Sequence, residues 1–146
     1  MNIAFFLTPK VNVSYIYDDF TIRQSLEKMR FHGYTSVPVI SRDGKYVGVV
    51  SDGDFLWYIV DFMRENMKDG VKDMEKARVK DLLRKKGQAK LPVSPVRITA
   101  QIDELVETAM KQNFVPVIDD NDAFVGIVTR RAIIQQLYKE KEAAVS

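Results

Sequence analysis

Val37-Pro38-Val39-Ile40, then Ser41-Arg42-Asp43-Gly44-Lys45, then Tyr46-Val47-Gly48-Val49-Val50-Ser51 is a passage that this chain contains twice. It returns 78 residues later as Val115-Pro116-Val117-Ile118, Asp119-Asp120-Asn121-Asp122-Ala123 and Phe124-Val125-Gly126-Ile127-Val128-Thr129. Short β-branched runs on either side of a polar, turn-forming stretch read as the two strands of a hairpin. The proline inside each first strand cannot donate to a ladder, so one side of that strand is expected to be an edge or an opening. An internal repeat of this kind constrains the architecture before any single motif does.

Upstream of the hairpins the offset becomes 80. Val13-Ser14 matches Val93-Ser94, Ile16 matches Val96, and Ile22, Leu26 and Met29 match Ile102, Val106 and Ala109, so the second copy is two residues shorter before its hairpin. Ile22, Leu26 and Met29 fall on one face of a helix, Thr21 with Gln24 reads as its capping box, and Gly33 is expected to end it. After each hairpin a second helix follows, with Phe55, Leu56, Ile59 and Val60 matching Ile133, Ile134, Leu137 and Tyr138. Each copy thus reads strand, helix, strand, strand, helix: an α/β chain of two pseudo-symmetric β-α-β-β-α repeats. A unit of about 60 residues buries little surface alone, so the copies are expected to pack as one body with the functional groove between them. The expected organisation is a first repeat over 1–66, a linker over 67–78 and a second repeat over 79–146, in which residues 79–83 repeat 3–7 as a lead-in. The Lys- and Arg-rich stretch 64–90 reads as a solvated helix face rather than a phosphate-binding surface.

Composition narrows the function classes. The 146 residues are 46% hydrophobic and 29% charged, enough apolar material for a core and too balanced for disorder. A formal charge of +2 argues against a nucleic-acid partner. With no cysteine and a single histidine, His32, the chain is without disulfides, thiolate nucleophiles and multi-histidine zinc sites. No stretch approaches the roughly 20 apolar residues of a membrane span, and residues 1–10 do not read as a signal peptide, so no membrane association and a cytoplasmic location are expected.

Two units carrying His32-Gly33-Tyr34, Val37-Pro38-Val39, Asp43-Gly44, Val47-Gly48-Val49-Val50-Ser51 and Asp54-Phe55-Leu56 resemble a tandem cystathionine-β-synthase (CBS) domain pair, or Bateman module, of the stand-alone type. The resemblance runs through both halves. It implies two CBS repeats packed as one module, a disc-like homodimer, and adenine nucleotides held in clefts between the repeats. Such modules regulate an attached enzyme or channel. No attached enzyme or channel is expected here, so the output is expected to pass to another, unidentified protein or a larger assembly.

The family holds the ribose diol with the acid of a Ser/Thr-x-x-Asp, and Ser51-Asp52-Gly53-Asp54 fits it. The same residues read as an N-cap and its N3 acid, and both roles can hold at once. In the second copy the segment is Thr129-Arg130-Arg131-Ala132. There the cap survives and the acid is lost, while two arginines beside the free N–H groups of a helix start suggest a phosphate site. Carried over from the family, one cleft would combine Lys10, Asn12, Ser14, Tyr34, Thr35 and Ser36 with Thr129, Arg130 and Arg131. The other would combine Lys90, Ser94 and Phe114 with Ser51, Asp52 and Asp54, without equivalents of Thr35 and Ser36. Asn113-Phe114-Val115 and the later Gly126-Ile127-Val128-Thr129-Arg130-Arg131 are also similar to stand-alone CBS-pair proteins of Gram-positive bacteria that bind cyclic di-AMP. The implied ligand is therefore AMP, ADP, ATP or cyclic di-AMP, with no other cofactor.

Two other classes compete. For an enzyme there is no P-loop, nucleophile elbow or metal-spaced histidine pair, so no catalytic residue is assigned. Asp119, Asp120 and Asp122 lack the glycine and distal glutamate of a calcium loop and read as an ordinary turn, and His32 is expected to satisfy the last carbonyls of its helix. The alternative to a ligand sensor is an interaction scaffold that binds no nucleotide. Trp57, Tyr58 and Phe62, lying beside the inner stripe of their helix, suggest a covered surface, either against the linker or as a homodimer face.

Overall fold

A computed structural model describes residues 2–65, 74–89 and 93–145; Lys90 and residues 67–73 of the expected linker lie outside them. The first copy supplies β2 (Ile16–Tyr17), α1 (Ile22–His32), β3 (Ser36–Ile40), β4 (Tyr46–Ser51) and α2 (Asp52–Glu65). The second supplies β5 (Val96–Arg97), α4 (Ile102–Lys111), β6 (Phe114–Ile118), β7 (Phe124–Thr129) and α5 (Arg130–Val145). Between them lies α3 (Val79–Ala89), and before them a 3-10 turn at Ile3–Phe6, β1 (Thr8–Pro9) and a second 3-10 turn at Lys10–Asn12. The predicted strand, helix, strand, strand, helix order is thus present twice.

The chain folds into two compact units, Ser14–Pro92 and Met1–Val13 with Val93–Ser146. In the first, a three-stranded sheet has the order β2-β3-β4, with β2 parallel and β4 antiparallel to the central β3. Pro38 sits in that central strand, but β2 pairs only with Val39 and Ile40, so the side facing β2 is open where the proline lacks its N–H. The other unit repeats the plan as β1-β7-β6-β5, with Val96 and Arg97 paired beyond Pro116. Both hairpins shift register at the same place, between Val39 and Ile40 opposite Gly48 and between Val117 and Ile118 opposite Gly126.

Helix α1 begins as its sequence predicts: Thr21 and Gln24 exchange side-chain and backbone hydrogen bonds in a capping box, and Gly33 closes the helix at φ 70°. The buried stripe is Ile22, Ser25 and Met29, with Leu26 only partly covered; in α4 it is Leu105 and Ala109, with Ile102 partly covered and Val106 exposed. The offset of 80 thus pairs Ser25 with Leu105 at the innermost position. Ser25 is tolerated there because its hydroxyl donates to the Thr21 carbonyl at 2.9 Å.

One core joins Ile16, Met29, Val37, Val39, Val50 and Phe55 to Ala77, Val79 and Leu82. The other joins Val96, Leu105, Val115, Val117, Val128 and Ile133 to Ile3 and Phe6. Full burial of a side chain such as Phe55 contributes about 1.5–3 kcal/mol. The two lead-ins that repeat one another are therefore exchanged: residues 3–6 complete the core of the second copy, and 79–82 that of the first. Backbone hydrogen bonds fix the latter, from Ile22 N to the Ala77 carbonyl, Val79 N to Phe20 and Lys80 N to Asp18.

Candidate functional site

β4 runs directly into α2, and the junction carries the predicted Ser51-Asp52-Gly53-Asp54. Asp54 N donates to Ser51 Oγ at 3.1 Å and Ser51 N donates to Asp54 Oδ2 at 2.9 Å, so the capping box is formed. A further partner was not foreseen. Lys86, on α3, donates from Nζ to Asp54 Oδ2 at 2.7 Å and to the Val49 carbonyl at 2.9 Å. The two side chains are only 18% and 13% exposed. Burial would push the Asp54 carboxyl up, but hydrogen bonds from Lys86 and Ser51 hold it below its ordinary value, so it is a carboxylate at neutral pH. Sequence reading placed Lys86 in a solvated charge run, and only the docking of α3 on the first copy brings it to this junction.

Ser36 opens the adjoining strand β3, and Thr35 immediately precedes it. Ser36 pairs with Ser51 in the β3–β4 ladder, and Asp52 N donates to the Thr35 carbonyl at 2.9 Å. The structure thus brings Thr35, Ser36, Ser51, Asp52 and Asp54 together within one unit. Tyr34, 48% exposed, stacks on His32 with ring centroids 5.7 Å apart, and His32 meets the edge of Phe31. This corrects the role expected of His32: the last carbonyls of α1 are taken by the backbone N–H groups of Gly33 and Tyr34. Ser14, half-buried, precedes β2 of the same unit.

In the other unit Thr129 caps α5, accepting from Ala132 N at 3.1 Å. Arg130 turns away from the helix start. Its Nε donates to the Ala109 carbonyl at 2.7 Å and a terminal nitrogen to Met110 at 3.3 Å, so it satisfies carbonyls at the end of α4. Arg131 is exposed and has no hydrogen bond or ion pair among the described residues. The 3-10 turn holding Lys10 and Asn12 packs on β7, but Thr8 pairs with Ile127 and Pro9 with Gly126, so the register leads Lys10 away from Thr129. Ser94 and Phe114 are joined by Gln112, also missed from sequence: its Oε1 accepts from Ser94 N at 2.9 Å and its Nε2 donates to the Ser94 and Phe114 carbonyls.

The acidic turn is occupied by its own backbone. Asp119 Oδ1 accepts from Asn121 N and Ala123 N, and Asp122 pairs with Arg97 at 3.1 Å. Among the described residues no cluster of acidic or histidine side chains is arranged to hold a metal, and no helix is long and apolar enough to cross a membrane. Tyr58 packs partly against the core and under Lys85, whereas Trp57 stays 64% exposed. Between α2 and α3 a cavity of about 340 Å³ is lined by Asp54, Trp57, Tyr58, Asp61, Leu82, Lys85 and Lys86.

These repeats, with a capped Ser-x-x-Asp junction after one hairpin and Thr-x-x-Ala after the other, define a CBS pair. A family model for the CBS domain matches residues 7–61 and 79–139, and the chain belongs to that family. Among curated proteins it is 25% identical over 145 residues, 84% of each chain, to the uncharacterized protein MJ1426 of Methanocaldococcus jannaschii. Among solved structures it is similar to CbpB in complex with c-di-AMP, with TM-score 0.83 and 21% identity over 99% of this chain and 89% of that one. It is also similar to CBSX2, a CBS-pair protein from Arabidopsis thaliana, in complex with AMP, with TM-score 0.71 and 24% identity over 96% and 98% of the two chains. At these identities the structural likeness speaks for the fold.

Proposed function

We propose that this chain is a regulatory module that binds an adenine nucleotide, without catalysis of its own, and passes the bound state to a partner protein. The observation that carries the reading is Asp54: a largely buried, ionised carboxylate, fixed by the helix cap, with Oδ1 free of hydrogen bonds among the described residues. A carboxylate so held is a natural acceptor for ribose hydroxyls. It favours AMP, ADP or ATP, which keep a vicinal diol, over cyclic di-AMP, whose 3′ oxygens are esterified. Similar folds hold AMP in CBSX2 and c-di-AMP in CbpB, which supports an adenine ligand at the level of the family.

A second reading has its own observation. Arg131 is exposed and without a side-chain partner among the described residues at the start of α5, where backbone N–H groups and a guanidinium suit a phosphate of cyclic di-AMP. Ligand would act by favouring one state of the module, or of a cytoplasmic homodimer, over another. Thermal unfolding with AMP, ATP and cyclic di-AMP tests the reading. A ligand at 100 times its Kd stabilises the folded state by about 2.7 kcal/mol, so a saturable rise in Tm with an adenine nucleotide is expected. No shift with any of the three would leave a scaffold that binds no nucleotide.

A further inference from the structure

Asp54 can offer both oxygens to a ribose diol only if Lys86 releases one of them. Oδ2 already accepts from Ser51 N and Lys86 Nζ, whereas Oδ1 is open among the described residues. Removing the ammonium without replacing its partner would strand a largely buried charge, which is costly. The ammonium has three donors, one of which holds the Val49 carbonyl at 2.9 Å. It can therefore pivot about that anchor and exchange the carboxylate for another anion. The cavity between α2 and α3, bordered by both Asp54 and Lys86 and about 340 Å³ in volume, is of the size that small-molecule sites have.

We propose that Lys86 makes the Asp54 site selective for phosphorylated nucleosides by exchange of ion-pair partners: the ribose hydroxyls take Asp54 and the phosphate of the same molecule takes Lys86. This rests on the reading of Asp54 as the ribose acceptor. A nucleoside without phosphate must either leave Lys86 unpaired or accept a single hydroxyl contact at Oδ1. A nucleoside monophosphate satisfies both halves of the divided pair.

The test compares AMP with adenosine by equilibrium titration of the wild type, Lys86→Met and Asp54→Ala. The wild type is expected to prefer AMP by about 10- to 100-fold, the worth of one charge-assisted hydrogen bond. In Lys86→Met, AMP should weaken, adenosine should tighten, and the preference should fall below about threefold. Should Lys86→Met fail to fold, Lys86→Gln, which keeps a donor for Val49, carries the same comparison. A preference unchanged in the folded lysine variant overturns the exchange even if Asp54→Ala abolishes AMP binding, because Lys86 is then a structural tie alone. AMP binding untouched by Asp54→Ala, or absent from the wild type, overturns the underlying reading and the exchange with it.

Discussion

Gly126 lies so close beneath Thr8 that a β-carbon at position 126 would come within 2.2 Å of the Thr8 carbonyl oxygen. The glycine lets the exchanged lead-in pair with β7 through Thr8–Ile127 and Pro9–Gly126. Its counterpart Gly48 faces only the end of the Leu83 side chain, at 3.3 Å. Backbone cannot yield as a methyl group can. Gly126→Ala is expected to lower stability by about 1–3 kcal/mol or more, and Gly48→Ala by under about 1 kcal/mol, in urea unfolding of the two variants. Equal losses would contradict the difference between the two lead-in contacts.

Leu105→Ala should cost about 2–5 kcal/mol, because it empties an innermost position that cannot fully collapse. Ser25→Ala, at the equivalent position, removes one local hydrogen bond and no volume to speak of. Its expected cost is about 0.5–1.5 kcal/mol, measured in the same denaturant series.

Arg130 and Arg131 are adjacent and should behave oppositely. Arg130→Ala frees the Ala109 and Met110 carbonyls and should lower stability by about 1 kcal/mol, without reference to ligand. Arg131→Ala should leave stability within about 0.5 kcal/mol. Any role it has will show in the affinity for cyclic di-AMP.

Asp54 gives the stability a defined pH dependence. Its folded carboxyl titrates below the ordinary value of 3.8, so its contribution is fully present above that value and is lost as the pH falls through the lower, folded one. Asp54→Asn should be less stable than the wild type by about 1–3 kcal/mol at pH 7, since Lys86 loses its charged partner. The gap should narrow only in acid below pH 3.8. Unfolding curves of both proteins from pH 7 downward check this; a gap that closes near neutrality would contradict it.

The repeat made the hairpins, the helices and their order legible, because hairpin text and helix periodicity are local signals that survive duplication. The Thr21 cap and the Gly33 stop were legible for the same reason. The exchange of Ile3–Phe6 with the 79–82 segment was not, since two similar lead-ins carry no mark of which copy each will complete. From that exchange follows the partner of Asp54 that sequence reading missed. Lys86 reaches Asp54 only because Val79 and Leu82 are buried in the first copy. Gln112, also missed, and the carbonyl contacts of Arg130, a residue the sequence did single out, form across folded distance within the second copy, on Ser94 and on the end of α4.

Calorimetric titration of the wild type and Asp54→Ala with AMP, ATP and cyclic di-AMP tests the central claim most directly. Saturable binding of AMP or ATP by the wild type, reduced by about tenfold or more in Asp54→Ala, is the predicted result. Mononucleotide binding that Asp54→Ala leaves unchanged, or no heat with any of the three ligands, would contradict it.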